Sequence, residues 1–209
     1  MTDSEILTFS QSIPGFYSET ELKNLLRLTR LLPPESIIVE VGVEFGRSAS
    51  IFLQCPENCA ELWLIDDRRY NAEEGRSAVF ELVTRLRTGR TIIFESEMSS
   101  ETAALQWGRN DATLAAAGKG RRLIDLIHID GDHCRAGVET DIAVWKHKVR
   151  RPSGLMVFHD YDRKAPDKLT PIFPDYTDAL NESLRREAEL WKAVEVCDTQ
   201  LVVKARHPR

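Results

Sequence analysis

A doubly wound α/β sheet is the fold class this sequence predicts, and three observations predict it. Short β-branched runs alternate along the chain with stretches of helical periodicity. Four of the first five runs contain or end in an acid, at Glu40, Asp66, Asp130 and Asp160, although their interiors are otherwise apolar. The last two runs are joined only through Asp198-Thr199, too short a link for a parallel crossover. Together these give a Rossmann-like, seven-stranded sheet, mostly parallel, with one antiparallel C-terminal strand and helices on both faces.

The elements follow in order. Residues 19–32 carry apolar side chains at 22, 25, 26, 28, 31 and 32, which is helical spacing, and Pro33-Pro34 stops that helix. Residues 37–42 read as a buried strand, followed by a glycine turn and a helix from about Ser48. A strand at 62–66, a helix at 75–88 and a strand at 91–95 come next. Residues 100–117 read as helical with a break near Gly108. A strand at 123–130, a helix at 136–149 and a strand at 155–160 complete the parallel part. Residues 162–174 are proline-rich and irregular; a helix at 175–188 and strands at 190–196 and 200–205 close the chain. Residues 1–209 are expected to form one domain, with a helical or lid segment at 1–34 and a core at 35–205.

Composition narrows the function classes. Hydrophobic residues at 42% and charged residues at 29% exclude a disordered chain. A net charge of −5 argues against a nucleic-acid partner, and the Arg pairs at 121–122, 150–151 and 185–186 read as solvated helix ends and loops. No apolar run approaches the roughly 18 residues of a membrane span. The acidic start, Met1-Thr2-Asp3-Ser4-Glu5, lacks the pattern of a signal peptide, so a soluble, cytoplasmic protein with free cysteines is expected. Cys55 and Cys59 have no second Cys/His pair nearby, which argues against structural zinc.

Ligands of an open α/β sheet bind at the carboxyl ends of its strands. The first such end reads Glu40-Val41-Gly42-Val43-Glu44-Phe45-Gly46-Arg47-Ser48. Its Gly-x-x-x-Gly spacing lacks the middle glycine of a dinucleotide turn, and its two acids would repel a diphosphate. A ligand with a cationic amino-acid part fits better; a purely structural tight turn is the alternative. Asp66, about 20 residues on, stands where an acid accepts from ribose hydroxyls. S-adenosyl-L-methionine meets both requirements. Asp130 and Asp160 converge from neighbouring strand ends, where like charges need a cation or a proton. Oxygen ligands favour Mg²⁺, and His159 as a ligand would shift the preference towards Mn²⁺. The plainer readings are a turn acid for Asp130 and a half-buried polar residue for His133.

Three segments carry a resemblance: VEVGVEFGRSAS at 39–50, LWLIDD at 62–67, and LIHIDGDHCRAGVETDIAVWKHKVRRPSGLMVFHDY at 126–161. The chain resembles the class I S-adenosylmethionine-dependent methyltransferases, and more narrowly the small metal-dependent O-methyltransferases of the methyltransferase 24 type, over about residues 35–205. The resemblance implies that Glu40, Gly42, Val43, Gly46 and Ser48 hold the methionine part and Asp66 the ribose. It implies Ser99 or Ser100 beside the adenine, with Asp130 at the same cleft. The divalent cation would sit on Asp130, His159 and Asp160, although catechol-type relatives carry an acid where His159 stands.

The expected reaction is transfer of a methyl group to a hydroxyl, with His133 as the leading base and His159 the second. A small-molecule acceptor is expected, a saccharide ahead of a catechol or phenol, because no aromatic-rich wall stands near the motifs. Phe16, Tyr17, Tyr70, Tyr161 and Phe173 are the aromatic candidates. Segments 1–20 and 162–174 are where a lid would lie, and Lys164 or Lys168 could meet an anionic acceptor group. A homodimer is expected, through residues 19–32 and the closing strands. Rival readings are a nicotinamide enzyme, a metal-dependent hydrolase or oxygenase on Asp130, His133, His159 and Asp160, and a non-catalytic cofactor-binding subunit.

Overall fold

Two capping boxes begin the chain in the computed structural model, which describes residues 1–69, 72–116, 122–165 and 170–207. In α1 (Asp3–Gln11) the Thr2 hydroxyl accepts from the Glu5 N–H while the Glu5 carboxylate accepts from the Thr2 N–H. In α2 (Glu19–Arg30) Ser18 and Glu21 make the same reciprocal pair. The first of these helices lies inside the segment read as helical or a lid, and Thr2-x-x-Glu5 is the signal that marks it. The second buries Leu22, Leu25, Leu26 and Leu28; Leu31, expected on its apolar face, is the C-cap and 69% exposed.

Seven strands follow: β1 (Ser36–Val41), β2 (Cys59–Ile65), β3 (Ile92–Ser96), β4 (Leu126–Ile129), β5 (Leu155–Phe158), β6 (Trp191–Cys197) and β7 (Gln200–Ala205). Their order in the sheet is β3-β2-β1-β4-β5-β7-β6. The last strand, β7, inserts between β5 and β6 and runs antiparallel to both, so it is the one reversed strand. The connecting helices are α3 (Arg47–Leu53), α4 (Ala72–Leu86), α5 (Ser100–Ala116), α6 (Arg135–Trp145) and α7 (Pro174–Arg186). Side chains from α1 to α4 pack on one face of the sheet around Phe52, Leu62 and Leu64. Those from α5 to α7 pack on the other around Trp107, Trp145 and Phe158.

Three local readings are corrected. The fourth strand is shorter than 123–130, because the Asp125 carboxylate turns to accept from Ile37 N–H and to pair with Arg150 at 2.5 Å. The helix at 100–116 runs unbroken through Gly108, where an added Cβ would meet nothing within 4 Å; one glycine costs a helix only about 1 kcal/mol. Arg122 and Arg150 are not solvated ends: Arg122 pairs with Glu61 and lies over Trp107, and Arg150 braces β4 through Asp125. In the proline-rich stretch Lys164 and Pro171 form an isolated antiparallel bridge.

Strand order reverses between β1 and β4, and this switch point positions the site. Register places Glu40 directly beside His128 of the neighbouring strand, on the face covered by α1–α4. Among the described residues no helix is long and apolar enough to cross a membrane.

Candidate active site

A cavity of about 480 Å³ opens over the switch point. One end is the glycine turn. Gly42 has φ +83°, and a Cβ there would stand 1.9 Å from the Asp130 carbonyl oxygen, so only glycine lets these two strand ends approach. Gly46, φ +85°, starts α3, and a Cβ there would stand 2.7 Å from Leu82. Asp66 braces the turn: its Oδ2 accepts from Val43 N–H at 2.8 Å and Glu44 N–H at 2.9 Å, and its Oδ1 accepts from Arg68 N–H at 2.7 Å.

The other end is a cluster of charges from the ends of β4 and β5. His159 Nδ1 lies 3.1 Å from Asp130 Oδ1 and 3.4 Å from Asp160 Oδ1, and its Nε2 lies 3.5 Å from Glu21 Oε1. His133 Nε2 sits between Asp130 Oδ1 at 3.3 Å and Asp160 Oδ2 at 3.2 Å, with its ring stacked on Phe173. Arg163 donates to Asp160 Oδ1 at 2.8 Å. The Tyr17 hydroxyl donates to Asp130 Oδ2 at 2.6 Å. Behind these, His128 Nδ1 lies 3.3 Å from Glu40 Oε1, which also accepts from the Ser48 hydroxyl.

The electrostatics follow from burial and neighbours. Burial alone would pull both site imidazoles down. The adjacent carboxylates win instead, pushing His133 up to about 9 and His159 up to about 10. Burial opposes charge on Asp130, but the His159 charge and the two imidazoles hold its carboxyl well below the usual range. Glu21 is likewise held at about 2 by His159 and Thr199 against its own burial. Glu40, fully buried, is shifted upward by desolvation. The premise of an unperturbed His133 is thus corrected: before ligands enter, it carries a proton at neutral pH.

Gly42, Val43, Ser48, Asp66, Ser99, Ser100, Asp130, His133, His159 and Asp160 all line the cavity. Glu40 and Gly46 do not; they shape the turn from behind. Ser99 caps α5 by accepting from Thr102 N–H, and the Ser100 hydroxyl accepts from Trp145 Nε1 at 2.8 Å. Of the aromatic candidates, Tyr17 and Phe16 line the cavity, whereas Tyr161 donates to Asn181 outside it; Tyr70 lies outside the described residues, as does Lys168. Lys164 pairs with Asp162. Glu21, His128 and Arg163 were not read from the sequence as site residues, and Tyr17 was read only as an aromatic candidate for the acceptor, not as a partner of Asp130. His128 had a signal, a lone polar residue inside an apolar strand. Tyr17 and Glu21 had none, since each meets partners more than 100 residues away.

The residues present fit a divalent cation. Asp130, His159 and Asp160 each offer an atom within 4.8 Å of the others. His133 Nε2 is buried and makes no directed hydrogen bond, although it faces the same two carboxylates. One nitrogen with two carboxylates suits Mn²⁺ or Mg²⁺.

A family model described as a methyltransferase domain matches residues 39–161, more than half of the chain. Among solved structures, the MycE methyltransferase from the mycinamycin biosynthetic pathway, in complex with Mg and SAH, superimposes with a TM-score of 0.62 at 15% identity, over 98% of this chain and 54% of that one. The O-methyltransferase TomG from Streptomyces achromogenes, in complex with SAM, gives 0.64 at 15% identity, over 99% and 92%. An O-methyltransferase from Bacillus cereus, in complex with SAH, gives 0.58 at 14% identity, over 98% and 91%. Such identities show a shared fold. The chain spans about half the length of MycE. No curated protein sequence matches.

Proposed function

The chain belongs to the methyltransferase-domain family whose model spans residues 39–161, and from that premise we propose that it is an S-adenosylmethionine-dependent O-methyltransferase acting on a hydroxyl of a small molecule. One observation carries the reading: a single cavity is lined both by the glycine turn and by Asp130, His133, His159 and Asp160. Gly42, Val43 and Ser48 bind the methionine part, with Glu40 and Gly46 behind them. Asp66 reaches the ribose with the lone pairs left after it braces the turn, and Ser99 and Ser100 flank the adenine.

The methyl group moves directly. The acceptor oxygen forms the new C–O bond while the C–S bond breaks and its electrons return to sulfur. A divalent cation on Asp130, His159 and Asp160, either Mg²⁺ or Mn²⁺, would acidify a coordinated hydroxyl and compete with the imidazole protons. His133, in its neutral form, would take the acceptor proton. His159 would ligate the cation; only without it is His159, held between Asp130 and Glu21, the second candidate base. The MycE complex with Mg, SAH and mycinamycin VI supports a cation and a natural-product acceptor.

A saccharide hydroxyl remains the favoured acceptor. Tyr17 stacks on His159 at 4.1 Å and Phe173 on His133 at 4.5 Å, so these two rings are engaged with imidazoles rather than with a planar ligand, and Arg163 lies over the ring of the cavity-lining Phe16. A homodimer and a cytoplasmic location belong to the same reading. The apolar face of α2 is covered within the chain, so a dimer face would draw instead on β6, where Val194 and Val196 are exposed.

The test is calorimetric titration of S-adenosylhomocysteine, followed by incubation with methyl-labelled donor and a panel of sugars and phenols, with Mn²⁺ or EDTA. Micromolar binding and cation-dependent label transfer to a sugar are expected. No binding, with product instead requiring oxygen or water alone, would replace the reading with an oxygenase or hydrolase.

A further inference from the structure

We propose that Tyr17 is a positioning residue that orients Asp130 and couples the two halves of the cleft, so that a bound methyl donor and a bound divalent cation reinforce each other. The inference rests on the reading above. Tyr17 comes from the segment between α1 and α2, yet it is 9% exposed and touches two of the three candidate cation ligands. Its hydroxyl donates to Asp130 Oδ2 at 2.6 Å, and its ring stacks on His159 at 4.1 Å and 20°. With Oδ2 tied in this way, Asp130 Oδ1 is left facing His159 Nδ1 at 3.1 Å.

The backbone of the same segment is held from the donor half. Arg47 follows Gly46 in the glycine turn, and its guanidinium donates to three carbonyls: Ile13 at 2.5 Å, Tyr17 at 3.1 Å and Gln11 at 3.3 Å. A second link runs through the sheet. The Tyr17 hydroxyl lies 3.2 Å from His128 Nε2, and His128 Nδ1 faces Glu40 behind the turn. Both halves therefore need residues 11–17 in one conformation. A ligand at either half meets the ordering cost of that segment, and the second then binds more tightly; by linkage the factor is the same in both directions.

A tyrosine that merely filled the core would be replaced without loss by phenylalanine, because the ring supplies the packing. Both close partners of this hydroxyl are instead polar residues at the strand ends, one of them a candidate ligand. Tyr17→Phe therefore separates the two roles.

The experiment is calorimetry of S-adenosylhomocysteine with and without saturating Mn²⁺, on the wild-type protein and on Tyr17→Phe. In the wild type, Mn²⁺ tightens the nucleoside by about fivefold or more, the lower end of typical couplings. In Tyr17→Phe the coupling factor, the ratio of the affinities with and without Mn²⁺, falls to about one. Arg47→Lys, which keeps the charge but loses the fork that spans three carbonyls, also lowers the coupling with the Tyr17 hydroxyl intact. A coupling that survives both substitutions overturns the proposal, as does a wild type in which both ligands bind independently. If the nucleoside fails to bind the wild type, the methyltransferase reading falls and takes the proposal with it. If the nucleoside binds and Mn²⁺ does not, only the cation assignment and this proposal fall.

Discussion

The end of the cleft at β1 is built mainly of backbone, whereas the end at β4 and β5 is built of side chains. In the first, Gly42 in the left-handed region and two N–H groups resting on Asp66 define the shape. In the second, His133, His159, Arg163, Asp130 and Asp160 neutralise one another at 2.8–3.4 Å. The difference teaches which change each half can bear. A backbone cradle tolerates altered charge nearby but no added atom, while a charge cluster tolerates modest changes of shape but not the loss of a charge.

The largest expected effect breaks the cradle. Gly42→Ala would drive a Cβ to 1.9 Å from the Asp130 carbonyl at a positive φ. It should cost about 3–5 kcal/mol of stability, and nucleoside binding with it; thermal unfolding and calorimetry read both, and a stable variant with wild-type affinity would refute the account of the turn. Next comes the charge cluster. Asp160→Ala removes a candidate ligand and a partner of His133 and Arg163. Mn²⁺ affinity should fall about 100-fold, while the affinity for S-adenosylhomocysteine measured without Mn²⁺ should change little; equal loss of both ligands would show that the halves are not separable.

A smaller effect lies between the halves. Asp141 is buried beside the cavity, and desolvation raises its carboxyl to about 6 from a usual 3.8. Between these values the folded state binds the proton more readily, so its contribution to stability falls as pH rises from 3.8 to about 6 and then levels. Asp141→Asn should flatten that slope and add about 1–3 kcal/mol at neutral pH; urea unfolding at pH 4.5 and 7.5 would expose an unchanged slope. The smallest effect is a control of opposite sign to the first. Gly108→Ala, in the middle of α5 with nothing within 4 Å, should stabilise by about 0.5–1 kcal/mol. A loss there would mean that the glycine has a packing role the structure does not show.

The contrast between the halves also governs what could be read beforehand. The glycine turn was legible because Gly42, Gly46 and Asp66 lie within 25 residues of each other and their spacing reflects backbone geometry. Asp130, His159 and Asp160 were legible as strand-end residues. Tyr17 was legible only as a loop aromatic and Glu21 not at all, since no local pattern says that the one reaches Asp130 or the other His159; Arg163 was not singled out either. The state of His133 was misjudged for the same reason: its proton is set by two carboxylates that only folding brings within 3.3 Å.

The sequence by itself determined the alternation of strands and helices, the single reversed strand and the edge of the sheet that carries polar residues. Those features depend on periodicity and turn length, which act between near neighbours in the chain. Only the tertiary structure decided that β1 and β4 lie side by side, that Glu40 faces His128, and that an N-terminal tyrosine locks a carboxylate at the switch point. Such contacts depend on strand order and register, and Coulombic and hydrogen-bond energies depend on distances in space that sequence separation does not encode.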